Sequence, residues 1–135
     1  MKTWIVTIAA WLWLTMQVLA ATPLYVNPAA ADDTGDGTTV ETAKKTIAAA
    51  YAAVDDEGEV LLLAGTYDAT TQGAGWQITF DGAKSATIKP NTGVSVTLAP
   101  TQADRSIYFS QVGATYTHRL EGVTVTPLVG AEIVD

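Results

Sequence analysis

The chain has 135 residues, with 7 basic side chains against 14 acidic ones, a net charge of −7, no cysteine and a single histidine. Those counts exclude disulfide scaffolds, zinc ribbons and zinc sites built from two or more histidines. Nucleic acid and anionic membrane surfaces need clustered cations, and Lys44-Lys45 is the sole adjacent basic pair, so neither is an expected partner.

Residues 1–20, MKTWIVTIAAWLWLTMQVLA, read as a signal peptide. One cation, Lys2, precedes an uncharged apolar run that closes on Val18-Leu19-Ala20. Cleavage before Ala21 implies a secreted or cell-surface protein. An uncleaved anchor is the competing reading, because Trp4 to Ala21 approaches the length of a membrane span. Any membrane contact is expected through this segment only.

Residues 21–59 divide into a strand, a loop and a helix. Leu24-Tyr25-Val26 is a short strand stopped by Asn27-Pro28. AAADDTGDGTT, residues 29–39, is turn chemistry: Asp side chains bond to nearby amides, and Gly35 and Gly37 permit positive φ. Ile47, Ala50, Tyr51 and Val54 then recur at helical spacing, with Thr42 and Thr46 as candidate N-caps. Gly58 suits a left-handed position at the helix's C-terminal end.

Residues 60–135 read as a succession of strands: 60–64, 76–80, 86–90, 94–99, 106–110 and 122–126. Val94, Val96 and Leu98 alternate with Ser95 and Thr97, giving one inward and one outward face. The first run, VLLLA, does not alternate, which suits a parallel sheet covered on both sides. DGAKS and NTG between runs look like corners joining strands of successive sheets, since tight antiparallel hairpins favour two-residue Asn-Gly or Asp-Gly turns. The pattern predicts a solenoid of parallel strands, with an antiparallel sandwich as the alternative.

The order of these motifs resembles the N-terminal part of a pectin-lyase-like parallel β-helix of the secreted, bacterial type. The matching residues are Tyr25-Val26, Asp33 to Thr38, Thr46-Ile47 with Ala50 and Ala53, then Gly58, Val60, Leu62 and Gly65-Thr66-Tyr67. HRLEGVTVTP, residues 118–127, resembles a strand that recurs later in that family. The resemblance implies an all-β fold: a right-handed parallel β-helix with a short N-terminal capping helix and Gly65-Thr66-Tyr67 as a corner. Leu62, Ile88 and Val123 would be successive equivalents, with further coils beyond residue 135 or self-association at that end. It implies a scaffold for polysaccharide binding or processing, without a complete active site in this chain. One alternative is a polysaccharide lyase or glycoside hydrolase whose catalytic coils lie beyond residue 135. Another is a noncatalytic surface or adhesive repeat protein whose outward threonines and aromatics make the contacts.

Few residues invite chemistry. Asp32, Asp33 and Asp36 in a glycine-rich loop are candidate calcium ligands, the one cofactor the sequence suggests. An EF-hand is excluded, because the twelfth position falls on Ala43 or Lys44 instead of a bidentate Glu. Tyr67 and Trp76 are candidate sugar-stacking platforms, with Tyr108, Phe109 and Tyr116 as further aromatics; each has core packing as its ordinary role. His118, Arg119 and Glu121 are adjacent ionisable groups with no matching carboxylate pair elsewhere, so a solvated or ion-paired strand edge is expected and no catalytic residue is assigned. Glycine-rich phosphate loops and Gly-x-Ser-x-Gly elbows are absent.

Overall fold

The computed structural model describes residues 21–74, 76–80, 84–101, 107–109 and 116–126. The predicted leader, residues 1–20, and the approach to further strands at 127–135 lie outside them. In chain order come β1 (Leu24–Val26), α1 (Ile47–Ala53), β2 (Gly58–Leu62), β3 (Gly65–Tyr67), α2 (Ala69–Gln72) and β4 (Ile78–Phe80). They are followed by β5 (Ala86–Pro90), β6 (Val96–Leu98), β7 (Ile107–Phe109), β8 (His118–Leu120) and β9 (Thr124–Val125). Among these residues no helix is long and apolar enough to cross a membrane.

The described strands pair in parallel, in sheets ordered β1-β2-β5-β8, β3-β6-β9 and β4-β7. Paired strands are far apart in sequence, as parallel pairing demands, so the antiparallel sandwich does not describe them. Val60 and Leu62 are fully buried and stand in register with Ile88 and Pro90. Leu61, on the opposite face, is only 9% exposed and lies in register between Tyr25 and Lys89. Covering on both faces is what an uninterrupted aliphatic run requires. Leu24, Val26, Tyr67, Trp76, Phe80, Val96 and Leu98 complete the same core with the buried face of α1.

The expectation of an all-β right-handed parallel β-helix with one capping helix is corrected. Two short helices accompany small sheets of four, three and two strands, and these sheets do not show a solenoid. The second helix has a local cause. Asp68 caps it by accepting from the Thr70 and Thr71 amides, and the Thr71 hydroxyl receives the Asp68 N–H in return. Gln72 then ties α2 to the start of α1, accepting from the Ile47 amide at 2.8 Å and donating to the Lys45 carbonyl at 3.1 Å.

Two further readings shift. Gly65-Thr66-Tyr67 is a paired strand, not a corner, and 118–126 holds two strands in two sheets, separated by Gly122 at φ 64°. The successive equivalents are Val60, Ile88 and Leu120, not Leu62, Ile88 and Val123.

Helix α1 closes one side of the core through Ile47, Ala50 and Tyr51, and Thr46 is its N-cap, accepting from the Ala49 amide. The outer edge of β1 is also occupied: Tyr25 N–H donates to the Gly37 carbonyl, and Lys44 N–H donates to the Tyr25 carbonyl. That loop pairing protects an edge that would otherwise offer free ladder groups.

The left-handed residue after α1 is Glu57, at φ 60°, and not Gly58. Gly58 is needed for closeness instead, since a Cβ there would lie 2.5 Å from Val54 Cγ2 and 2.8 Å from the Asp55 carbonyl oxygen. A left-handed conformation costs a residue with a side chain roughly 1–2 kcal/mol. Glu57→Gly is therefore expected to stabilise the fold by up to about 1 kcal/mol after the entropy cost of glycine. Gly58→Ala should destabilise it by about 1–3 kcal/mol through overpacking. Urea unfolding midpoints check both signs, and equal effects at the two positions would refute the assignment.

Candidate functional site

The loop between β1 and α1 folds around its own hydrogen bonds, and its three aspartates do different work. Asp33 ties the loop to the helix. Its Oδ1 accepts from the Lys45 and Thr46 amides, each at 2.8 Å, and its Oδ2 accepts from the Thr46 hydroxyl at 2.9 Å. Asp36 closes the far turn, accepting from the Thr38 amide, the Thr38 hydroxyl and the Thr42 hydroxyl, the last at 2.6 Å. Asp32 accepts from the Thr34 hydroxyl and amide at 2.6 and 2.9 Å. The Thr42 hydroxyl holds the Asp36 carboxyl below its ordinary pKa, and the Thr34 hydroxyl does the same for Asp32, so both are carboxylates at neutral pH.

Calcium coordination would need these carboxylates to converge with several neutral oxygens. Instead each is engaged by its own turn, and Lys44 Nζ donates to the carbonyls of Asp33 and Gly35 at 3.2 and 2.8 Å. The Lys44 ammonium thus lies against two of the loop's carbonyl oxygens. Among the described residues no group of three or more His, Cys, Asp or Glu is placed to hold a metal ion.

Asp32 alone of the three lines a surface pocket of about 320 Å³. Asn27, Ala31, Thr34, Val40 and Glu41 line it with Asp32, and no Lys or Arg does. Among the described residues Val40 is the large apolar side chain left exposed, at 44%. The wall is fixed from behind, because the Gly37 amide donates to the Thr42 carbonyl at 2.8 Å and Asn27 Oδ1 accepts from the Ala29 amide at 2.9 Å. The pocket presents acceptors and hydroxyls beside apolar contacts from Val40, Ala30, Ala31 and Ala43, at the small end of the range typical of small-molecule sites.

The aromatic candidates lie elsewhere. Tyr67 is fully buried and donates its hydroxyl to the carbonyls of Val26 and Leu63 at 2.9 and 3.0 Å. Burial raises the Tyr67 pKa well above the ordinary phenol value, so the hydroxyl stays protonated and keeps donating. Trp76 is 8% exposed and belongs to the same core. Neither presents a ring face to solvent, so the sugar-stacking expectation for both is corrected to core packing. The side chains of Tyr108 and Phe109 lie outside the described residues.

His118, Arg119 and Glu121 do not form one cluster. Arg119 and Glu121 make an exposed ion pair at 3.1 Å. His118 packs instead against Phe80 and Tyr51, with ring centroids 5.1 and 6.0 Å away. Adjacent strand residues face opposite ways, which separates them. On the outer face of the large sheet Glu59, Thr87 and Arg119 stand in register, with Glu59 paired to Lys89.

No protein family, curated protein or solved structure matches the chain. The resemblance drawn above rests on the motifs alone.

Sequence reasoning reached Asp32 and missed Val40, Glu41, Thr34 and Asn27. One signal was available: Val40 is a lone aliphatic in a stretch of Asp, Gly and Thr, with no periodic partner to bury it.

Proposed function

We propose that the protein is an exported, noncatalytic carbohydrate-binding scaffold that seats one sugar unit of a neutral polysaccharide in the loop pocket. The observation that carries this reading is the lining itself: carboxylates of Asp32 and Glu41, an amide, hydroxyls and the exposed Val40 around about 320 Å³. Carboxylates accept hydrogen bonds from sugar hydroxyls, and Val40 offers contact to the apolar face of a pyranose. Lys44 and Lys45 donate to the carbonyls of the lining residues Gly35 and Ala31, but the charged side chains that line the pocket are Asp32 and Glu41, so uronates are expected to bind more weakly than neutral sugars. The export expectation fits a polysaccharide partner outside the cell.

The test is calorimetric titration with neutral and uronic oligosaccharides. Neutral oligomers should bind, and Glu41→Ala should weaken them by about tenfold, the cost of one charged hydrogen bond. Preference for uronates, or equal binding by the Glu41→Ala variant, would refute the assignment of the pocket. Turnover of any oligosaccharide would refute the noncatalytic reading.

A further inference from the structure

We propose that the outer face of the β3-β6-β9 sheet is a binding track, continuous with the loop pocket, for one extended chain of neutral polysaccharide. The track rests on the reading of the pocket as a sugar site and adds the path of the units that follow. Its centre is a ladder of hydroxyls. Thr66 of β3 stands in register with Thr97 of β6, and Thr97 with Thr124 of β9. Their strand neighbours Tyr67, Val96 and Leu98 are buried in the core, so alternation turns the threonines to the opposite face. Thr66 and Thr124 are exposed, and Thr97 between them is half-buried.

Strand pairing joins the ladder to the pocket. Val26 pairs with Leu62 in parallel register, so the chain leaving β1 runs one strand spacing from the chain leaving β2. The Leu63 amide continues that pairing by donating to the Val26 carbonyl at 2.8 Å. The first chain leads into Asn27 and Pro28, and the second into Gly65 and Thr66. A Cβ at Gly65 would lie 2.7 Å from Pro28 Cγ, so the proline ring rests against the start of β3. Asn27, next to Pro28 in the chain, lines the pocket. Pocket, Pro28, Thr66, Thr97 and Thr124 therefore follow one another in the direction in which the strands lie side by side.

Charge and spacing select the occupant. No residue of β3, β6 or β9 is charged, whereas the outer face of the large sheet carries Glu59, Lys89 and Arg119. An uncharged hydroxyl face suits a neutral polymer, whose own hydroxyls donate and accept as threonine does. Adjacent strands repeat at about 4.7–4.9 Å, close to the length of one unit in an extended β-linked pyranose chain. A polymer crossing the strands would set the same hydroxyl of successive units over successive threonines. Each rung adds one modest hydrogen bond, and a chain already held at the pocket meets the rungs at high effective concentration.

Calorimetric titration with cello-oligosaccharides, from the disaccharide to the hexasaccharide, tests the track. Affinity should rise with length, by about threefold for each added unit that reaches a rung. Thr97→Val keeps a β-branched strand residue and removes the central hydroxyl. It should leave disaccharide affinity and the unfolding midpoint unchanged and flatten the rise with length. Glu41→Ala should weaken every length alike, so the disaccharide affinity reports the pocket and the hexasaccharide-to-disaccharide ratio reports the track. One affinity for all lengths, or a rise that Thr97→Val leaves intact, overturns the track while the pocket reading stands. If Glu41→Ala changes no affinity while Thr97→Val still flattens the rise, the pocket reading falls and the ladder stands. Sedimentation that shifts toward the monomer in Thr97→Glu, with no dependence of affinity on length, assigns the face to a second copy of the chain and overturns the proposal.

Discussion

Truncating Tyr67 to alanine is expected to lower the unfolding free energy by about 3–5 kcal/mol, the range for removing a buried aromatic ring. Tyr67 is fully buried in the cluster that includes Leu62, Trp76, Phe80 and Leu98, so the vacated volume has core on every side. The hydroxyl has a separate role, and Tyr67→Phe isolates it. The Val26 carbonyl keeps the Leu63 amide as a donor at 2.8 Å, whereas the Leu63 carbonyl depends on the phenol. One acceptor, and not two, is left stranded, and the loss should be about 1–2 kcal/mol. Urea unfolding of the three proteins checks the ladder. A Phe variant as stable as the parent would show that the tie between β1 and the end of β2 carries no energy.

The same residue shows what the sequence made legible. GTY after VLLLA reads as a corner but is a paired strand, whereas strand content, parallel pairing and a helix within residues 46–54 followed from period, composition and turn spacing. What failed was the assignment of Tyr67 to a sugar. An aromatic close to a glycine on a predicted surface corner looks accessible, but Tyr67 is buried against Val26, 41 residues earlier in sequence and adjacent in space. Long-range register of this kind leaves no local mark. Helix α2 was missed for the opposite reason: its cause is wholly local, in Asp68, Thr70 and Thr71, but the run is short and β-branched, and propensity alone favours a strand.

The loop was half legible. Asx chemistry at Asp32 and Asp36 was visible in the spacing, since each is followed two residues later by a threonine whose amide and hydroxyl it accepts from; Asp33 instead accepts from Lys45 and Thr46, far along the chain. The divergence of the three was not visible. Whether three nearby carboxylates converge on an ion or serve three turns depends on backbone dihedrals and on where Lys44 reaches, and both are set by the pairing of β1 with residues 37 and 44. The same pairing that protects the edge of β1 thus opens the pocket beside it.

Gly35→Ala is expected to disable that pocket and to destabilise the fold by about 1–3 kcal/mol, the usual cost of overpacking. A Cβ at Gly35 would overlap the Thr42 carbonyl oxygen and lie 2.8 Å from its carbon. Backbone cannot rotate away as a side chain can, so Thr42 must shift. Its carbonyl would then lose the Gly37 amide and its hydroxyl would lose Asp36, the two bonds that close the turn. Lys44 Nζ, which donates to the Gly35 carbonyl, would lose its seat as well. Oligosaccharide affinity should fall by more than the tenfold expected of Glu41→Ala, because the whole wall moves and not one acceptor. The two variants differ in a second respect. Glu41 is exposed and its removal should leave the unfolding midpoint unchanged, whereas Gly35→Ala should lower both midpoint and affinity. If Gly35→Ala lost stability while binding sugar as the parent does, the ligand would be seated elsewhere, and the outer face of the large sheet, with Glu59, Thr87 and Arg119 in register, would be the next surface to mutate.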